Sequence, residues 1–300
     1  MLYFTKMDSS INTDKLIINS HKFSYVVNKL RQFFLGKGFV EVHTQNRLSI
    51  LAACEDPSTI SKYNYSGSVW PLPQTGQMWL EWELLTDPKP EGYFCLSTSY
   101  RDEPNPVPGR HDKIFPMFEF ELKGDLAEMQ RMEAELLEYL GYGARDSFPE
   151  GNYETLAEKF GVLDISHNEE MKMYKEDGQP VFFLKNFPEY TSPFWNMKRN
   201  DDKKTAKKID VIMSGMETIG SAERCCDVEE MRRRFLNISD GMYAKTLYNQ
   251  FGRERVDAEM DRFMSHAFIT RSGGGIGMTR LIRSMELEGL IPAEVINARV

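Results

Sequence analysis

Cysteine is scarce in this chain, with 4 in 300 residues. Cys225 and Cys226 are adjacent and poorly placed to bond each other. Cys54 and Cys95 lie far from them, and no pair has the spacing of a zinc site. This argues against a disulfide scaffold and a zinc module, and free thiols in a reducing cytoplasm are expected. Long apolar runs are also missing. The opening stretch MLYFTKMDSSINTDKL holds none, and no later segment reaches the length of a membrane span. A soluble cytoplasmic protein without a membrane partner is the expectation. A basic excess is missing too. Lys and Arg number 37 against 45 Asp and Glu, for a net charge of -8 and a pI near 5.3. That balance argues against broad non-specific nucleic-acid binding, though not against a local basic groove. No internal repeat or low-complexity segment is visible.

Apolar residues are plentiful, 41% of the chain with 12% aromatic, enough to bury a sizeable core. Residues 1 to about 20 read as a polar arm. From His21 to Leu35, Phe23, Val26, Val27, Leu30, Phe33 and Phe34 recur at helical spacing, and Gly36 and Gly38 end the helix. Phe39 to Val42 reads as a strand, 55–70 as loop, Ser68 to Leu72 as a strand, and a helix enters near Gln77. Leu126 to Leu140 is an amphipathic helix closed by Gly141 and Gly143. Shorter helices are expected at Tyr153–Phe160, Asn168–Tyr174, Val228–Leu236 and Arg255–Phe263. Val181–Leu184 reads as a buried strand, and Ile209–Met213 with Met216–Ser221 as a hairpin about Ser214-Gly215. The lysine-rich stretch KRNDDKKTAKK, Lys198 to Lys208, reads chiefly as a solvated tip, with an RNA phosphate contact as the sharper alternative. Strands dominate the middle without regular strand-helix alternation. The fold class is therefore α+β, an antiparallel sheet flanked by helices.

Two stretches carry chemistry. The first is Tyr100 to Glu121, YRDEPNPVPGRHDKIFPMFEFE. Leu96–Glu103 and Phe115–Glu121 read as antiparallel strands around a proline-rich tip. Alternation puts Arg101 and Glu103 on one face of the first strand, and Glu119 and Glu121 on one face of the second. Charges on an interior sheet face need a partner. A solvent-facing, salt-bridged hairpin is the plain alternative. The second stretch, SGGGIGMTRLIR from Ser272 to Arg283, lets backbone approach a ligand and offers amides at a helix start. It lacks both the Walker lysine and the GxGxxG spacing. Arg280 is a planar cation able to stack on a base or clamp a phosphate.

Together the two stretches resemble motifs 2 and 3 of the class II aminoacyl-tRNA synthetases. Arg101, Glu103, Arg110-His111, Phe115 and Glu119 fall in motif 2, and Gly275, Gly277 and Arg280 in motif 3. Gly38 to Thr44 resembles motif 1, which in that family builds the dimer interface. The likeness covers roughly residues 21–290 and implies an arm over 1–20 and one catalytic domain over 21–300. Cys54-Glu55, Gln74 to Glu81, and Asp210 with Glu217 and Arg224 resemble the aspartyl/asparaginyl branch, closest to asparaginyl. The resemblance implies ATP and Mg2+ as cofactors and a homodimer. It implies that Arg101 holds the α-phosphate and the amino-acid carboxylate, with Arg101 and Arg280 the catalytic cations. Glu103 would accept from the adenine amino group, Phe115 and Arg280 would sandwich the base, and Arg110, His111 and Gly277 would complete the ATP site. Asp210 and Glu217 would hold magnesium. Glu55 and Gln77 would anchor the α-amino group of aspartate or asparagine, and Arg224 its side chain.

Several positions depart from the family pattern. Gln45 stands where motif 1 carries a proline, Ile114 where motif 2 carries a glutamate, and Thr279 where motif 3 carries an acid. The Thr279 hydroxyl is similar to ammonia-dependent asparagine synthetases built on the same domain. Leu80 replaces a lysine of aspartyl enzymes. Relatives that charge tRNA carry an upstream barrel, whereas the roughly 20 residues before the first helix fall short of the ~40 a small domain needs. The expectation is adenylation of aspartate or asparagine, then transfer to ammonia or another amine without tRNA. A minimal RNA-acylating enzyme and a non-catalytic nucleotide sensor are the alternatives. Which carboxylate is activated stays open.

Overall fold

A long hairpin forms the middle of the molecule because two strongly apolar strands are joined by a loop that prolines keep out of the ladder. The structure, a computed structural model, describes residues 18–53, 56–107 and 109–297. The arm expected over residues 1–20 lies almost wholly outside the described residues. The hairpin strands are β4 (Gly92–Tyr100) and β5 (Ile114–Lys123), once β1 (Phe39–Glu41), β2 (Lys62–Tyr65) and β3 (Ser68–Pro71) are counted before them. Then follow β6 (Glu150–Asn152), β7 (Val181–Pro188), β8 (Thr205–Met213), β9 (Met216–Glu223) and β10 (Arg271–Gly277). An eight-stranded sheet has the order β1-β4-β5-β10-β9-β8-β7-β6. Its interior pairs are antiparallel, and only the edge pairs β1–β4 and β6–β7 are parallel. This is the α+β architecture expected from the sequence.

The α-helices among the described residues are α1 (Ser20–Gly36), α2 (Gln77–Thr86), α3 (Leu126–Leu140), α4 (Tyr153–Phe160), α5 (His167–Asp177), α6 (Val228–Asn237), α7 (Met242–Phe251), α8 (Arg253–Met264), α9 (Met278–Leu287) and the short α10 (Ala293–Ile296). Asn19 starts α1 by accepting from the His21 and Lys22 amides. A capping box between Asp125 and Glu128 starts α3, and left-handed Gly141 ends it. These local signals explain why both helices are legible. Helix α7 and strand β2 were not expected. Among the described residues α7 has no side-chain cap, and the polar β2 forms a separate two-stranded sheet with β3.

Alternation along β5 divides the sheet into two faces. Phe118, Phe120 and Leu122 enter the main core with Phe94, Ile209, Ile219 and Ile276, under α1, α3 and α9. Phe34 of α1 packs against the Phe94, Phe118 and Phe120 rings at 5.1–5.6 Å between centroids. Removing such a ring costs about 3–5 kcal/mol. Met117, Glu119 and Glu121 point to the other face. A second core, built on Trp195, Tyr243 and Phe263, joins α6, α7 and α8 to that face.

Glu133 on α3 is fully buried beneath the sheet. Burial pushes its carboxyl up to about 8; the Ser221 hydroxyl opposes this and the nearby Asp210 adds to it. Between about pH 5 and 8 the unfolded chain ionises this group while the folded chain keeps the proton. The folded state therefore binds more protons, and this contribution to stability falls as pH rises. Glu133→Gln should remove that slope. Its unfolding free energy relative to the wild type, followed by urea titration, should rise across the window by at most about 1.4 kcal/mol per pH unit. A constant difference would refute the assignment.

Candidate active site

The face of the sheet away from α3 carries a cavity of about 310 Å3. Its floor is β10, read from sequence as a glycine run with amides free at a helix start. It is instead a central strand whose residues pair with β5 on one side and β9 on the other. Glycine is needed there for room. A β-carbon on Gly273 would land in the Glu121 carboxylate and 2.5 Å from the Phe120 carbonyl oxygen, and one on Gly275 would meet the Met117 methyl at 2.7 Å.

Arg101, Glu103, Arg110, His111, Phe115, Glu217, Gly277 and Arg280 all line this cavity, with Gln77 and Arg224. Strand β4 stops at Tyr100, so Arg101 follows its end, held by a bridge to Ile60 and a backbone bond to Lys113. Its guanidinium lies 5.7 Å from the centre of the Phe115 ring. Arg280, on the first turn of α9, donates to the Glu217 carbonyl at 2.8 Å and sits 3.7 Å from its carboxylate. Arg110 reaches Glu170 of α5 at 2.9 Å, and Glu170 also accepts from the Glu217 amide. Burial lowers the His111 imidazole, and the surrounding Arg280, Arg110 and Arg101 charges add to that against Glu103. Glu55 lies outside the described residues, as do Cys54 and Pro108.

At the other end, Arg224 donates to the Glu121 carboxylate at 3.2 Å and lies 3.7 Å from Glu81. Gln77 donates to the same Glu121 oxygen. Burial raises Glu121 to about 7, against the pull of Arg224 and with the push of Glu81. Glu81 is gripped by Arg271 at 2.6 and 2.9 Å. Asn196 donates to Glu81 at 2.6 Å, which fixes its amide orientation and leaves its Oδ1 buried without a hydrogen-bond partner among the described residues. Glu119 lines the cavity fully buried, accepting from Ser97, Thr75 and the Gly76 amide. Burial raises its carboxyl in spite of these donors.

The two expected metal residues converge over Gly220. A β-carbon there would stand 3.2 Å from Glu217 Oε1 and 3.5 Å from Asp210 Oδ1. Asp210 Oδ1 is buried and has no hydrogen-bond partner among the described residues. Burial pushes Asp210 up to about 8, while Lys208, 2.9 Å from its Oδ2, pulls the other way. Burial also acts on Glu217, but Lys208, Arg280, Arg101 and Arg110 together bring it below the ordinary range. An orphaned carboxylate oxygen beside a second carboxylate fits a hard cation. Among the described residues no group of three or more His, Cys, Asp or Glu is placed to hold a metal, so phosphate oxygens would have to complete the shell.

Sequence reading missed Lys208, Asn196 and Arg271 as parts of this site, and gave Glu81, at the end of the Gln74 to Glu81 stretch, no role of its own. Only Lys208 left a local signal, by sharing a strand face with Asp210. The lysine-rich stretch is not wholly a solvated tip. Lys198 and Lys207 pair with Glu223 at 2.6 and 2.9 Å, and Lys208 turns into the cavity.

The family model for class II tRNA synthetases (D, K and N) matches residues 9–291. The cytoplasmic aspartate–tRNA ligase of Rattus norvegicus is 22% identical over 298 residues, 87% of this chain and 56% of that protein. The aspartate–tRNA(Asp) ligase of Thermoplasma acidophilum is 22% identical, over 87% of this chain and 63% of its own length. Among solved structures, asparaginyl-tRNA synthetase from Pyrococcus horikoshii complexed with asparaginyl-adenylate superposes with a TM-score of 0.73 at 21% identity. That match covers 88% of this chain and 64% of the other. The chain thus spans under two thirds of the length of each of these relatives.

Gly273→Ala should destabilise the chain by about 1–3 kcal/mol, because the backbone it meets cannot yield cheaply. Gly36→Ala, with nothing within 4 Å, should be neutral or stabilising by up to about 1 kcal/mol. Urea midpoints of the two variants test the contrast.

Proposed function

The chain belongs to the class II tRNA synthetases of the D, K and N group, and we propose that it is an AMP-forming ligase that adenylates aspartate and passes the acyl group to ammonia. The observation that carries this reading is that two residue sets share one cavity. Arg101, Glu103, Phe115 and Arg280 suit a nucleotide, and Gln77, Arg224 and Asn196 suit a small zwitterion. In this reading Phe115 and Arg280 hold the two faces of the adenine, and Glu103 accepts from its amino group. Asp210 and Glu217 would hold Mg2+, which when bound neutralises phosphate charge.

The far end favours an amino-acid head group over a lone carboxylate. Arg224 supplies a cation, Glu121 and Glu81 supply anions, and the orphaned Asn196 Oδ1 needs a donor. An α-carboxylate and α-ammonium together satisfy that alternation. The side-chain carboxylate then points to Arg101 and attacks the α-phosphorus, and pyrophosphate leaves. Attack brings two anions together, and the fixed Arg101 guanidinium stabilises the charge that builds on the phosphate oxygens. No protein nucleophile is required, and positioning does much of the work. Ammonia next adds to the acyl carbon, AMP departs, and one proton is released, giving asparagine.

Acylation of RNA through the α-carboxylate is the second reading, favoured by the family itself. The net charge of -8 and the pairing of Lys198, Lys207 and Lys208 with carboxylates weigh against a polyanionic partner. We also propose a homodimer through α1 and β1, where Leu35 and Val40 remain exposed.

The test is to incubate protein, ATP, Mg2+ and each amino acid with ammonia or tRNA, then follow AMP and pyrophosphate. Ammonia-dependent AMP with asparagine as product is expected, and RNA acylation would establish the second reading instead. Arg101→Ala should lower AMP formation by at least about 100-fold while keeping the cooperative unfolding transition. Normal turnover in that variant would sink the assignment.

A further inference from the structure

Lys208 is a pocket-lining cation that neither the motifs nor the mechanism above uses. It stands two residues before Asp210 on β8, so both side chains share the cavity face. Its ammonium is 2.9 Å from Asp210 Oδ2 and 3.9 Å from the centre of the Phe187 ring on β7. Those two contacts fix a flexible side chain in advance, and 22% of it remains open. It is the strongest favourable charge acting on both Asp210 and Glu217.

A count of charges at this end decides what such a lysine does. Lys208, Arg280, Arg101 and Arg110 all act on Glu217, whose carboxylate neighbours are Asp210 and Glu170, four cations against three carboxylates. Without Lys208 the cations no longer outnumber the carboxylates, and with Arg101 given to the α-phosphate the terminal phosphates would meet little net attraction unless a divalent cation arrived with them. We propose that Lys208 is the resident cation of the polyphosphate end: it contacts the β- or γ-phosphate directly and lets the site bind a nucleoside triphosphate without divalent metal. Lysine suits the task as a compact point charge on a long stem that can swing from a carboxylate to a phosphate. Binding so arranged puts the terminal phosphates against β8 and leaves the α-phosphate to Arg101. The inference rests on the nucleotide reading of the cavity.

Calorimetric binding of ATP and of AMP, each with EDTA and with saturating Mg2+, tests it in the wild type, Lys208→Met and Lys208→Arg. The wild type should bind ATP in EDTA. Lys208→Met should bind it there at least 10-fold more weakly, and Mg2+ should bring the variant back to within about 3-fold of the wild type. Lys208→Arg should keep most metal-free affinity. AMP, which lacks the terminal phosphates, should bind all three proteins alike, which also shows that the variants are folded. Metal-free ATP binding unchanged in Lys208→Met overturns the inference alone, as does an equal loss of AMP and ATP. A wild type that binds neither nucleotide under either condition overturns the nucleotide reading and this inference with it.

Discussion

The buried ladder of Glu81, Arg271, Arg224 and Glu121 is the constraint on which the rest of the molecule hangs. Glu81 comes from α2, Arg271 opens β10, Arg224 follows β9, and Glu121 lies on β5. Four separate stretches therefore meet at four side chains that are almost wholly shielded from water. Such a ladder is weak evidence for stability as such, since a hydrophobic replacement can do as well. Removing one member is another matter: an unpaired buried charge costs about 3–5 kcal/mol. The ladder fixes the position of α2 against the sheet, and with it the Gln77 amide that reaches Glu121.

Strand β10 works with that ladder. A strand with four glycines in seven residues should be a poor strand, since glycine loses most backbone freedom and packs nothing. It persists because β5 pairs with all of its residues and β9 with Ser272 to Ile276, and because its bareness is used. Glu119, Glu121 and Met117 lean across it, and the cavity reaches down to its backbone. The same absence of side chains that weakens the strand deepens the site. A shielded floor also strengthens every charge above it, so Arg101 and Arg224 act in a medium less forgiving than water.

Much of this was legible along the chain wherever the cause is local. Period-2 alternation put Glu119 and Glu121 on one face and their phenylalanine neighbours on the other. Helical spacing and the closing Gly141 delimited α3, and α4 was placed around Tyr153 to Phe160, where it lies. The resemblance gathered Arg101, Glu103, Phe115 and Arg280, and the fold brings them to one cavity. What could not be read is what long-range pairing decides. Glu81 and Arg271 are 190 residues apart, and nothing near either marks them as partners. Asn196 becomes notable only when Glu81 takes its amide nitrogen and orphans its oxygen. Lys208 looked like one of a run of solvated lysines until β8 turned it toward Asp210. The glycine run misled for a related reason: its pattern signals backbone freedom, while the two flanking strands remove that freedom.

The direction in which the cations face bears on what the site can accept. A chain with net charge -8 repels polyanions at long range, but screening confines that field to about 8 Å at physiological salt. Inside that distance the local arrangement governs. Three cations of the lysine-rich stretch are paired with carboxylates, Lys198 and Lys207 with Glu223 and Lys208 with Asp210, while Lys203 and Lys204 stay exposed. An extended polyanion needs a continuous track of exposed charge, because its affinity grows with the number of phosphates neutralised. A compact one needs only a few cations converging on a cavity, and Arg101, Arg110, Lys208 and Arg280 all line the same one. The charge pattern therefore selects by shape as well as by sign. At the cavity it suits a small, dense anion, in keeping with the nucleotide of the proposed function.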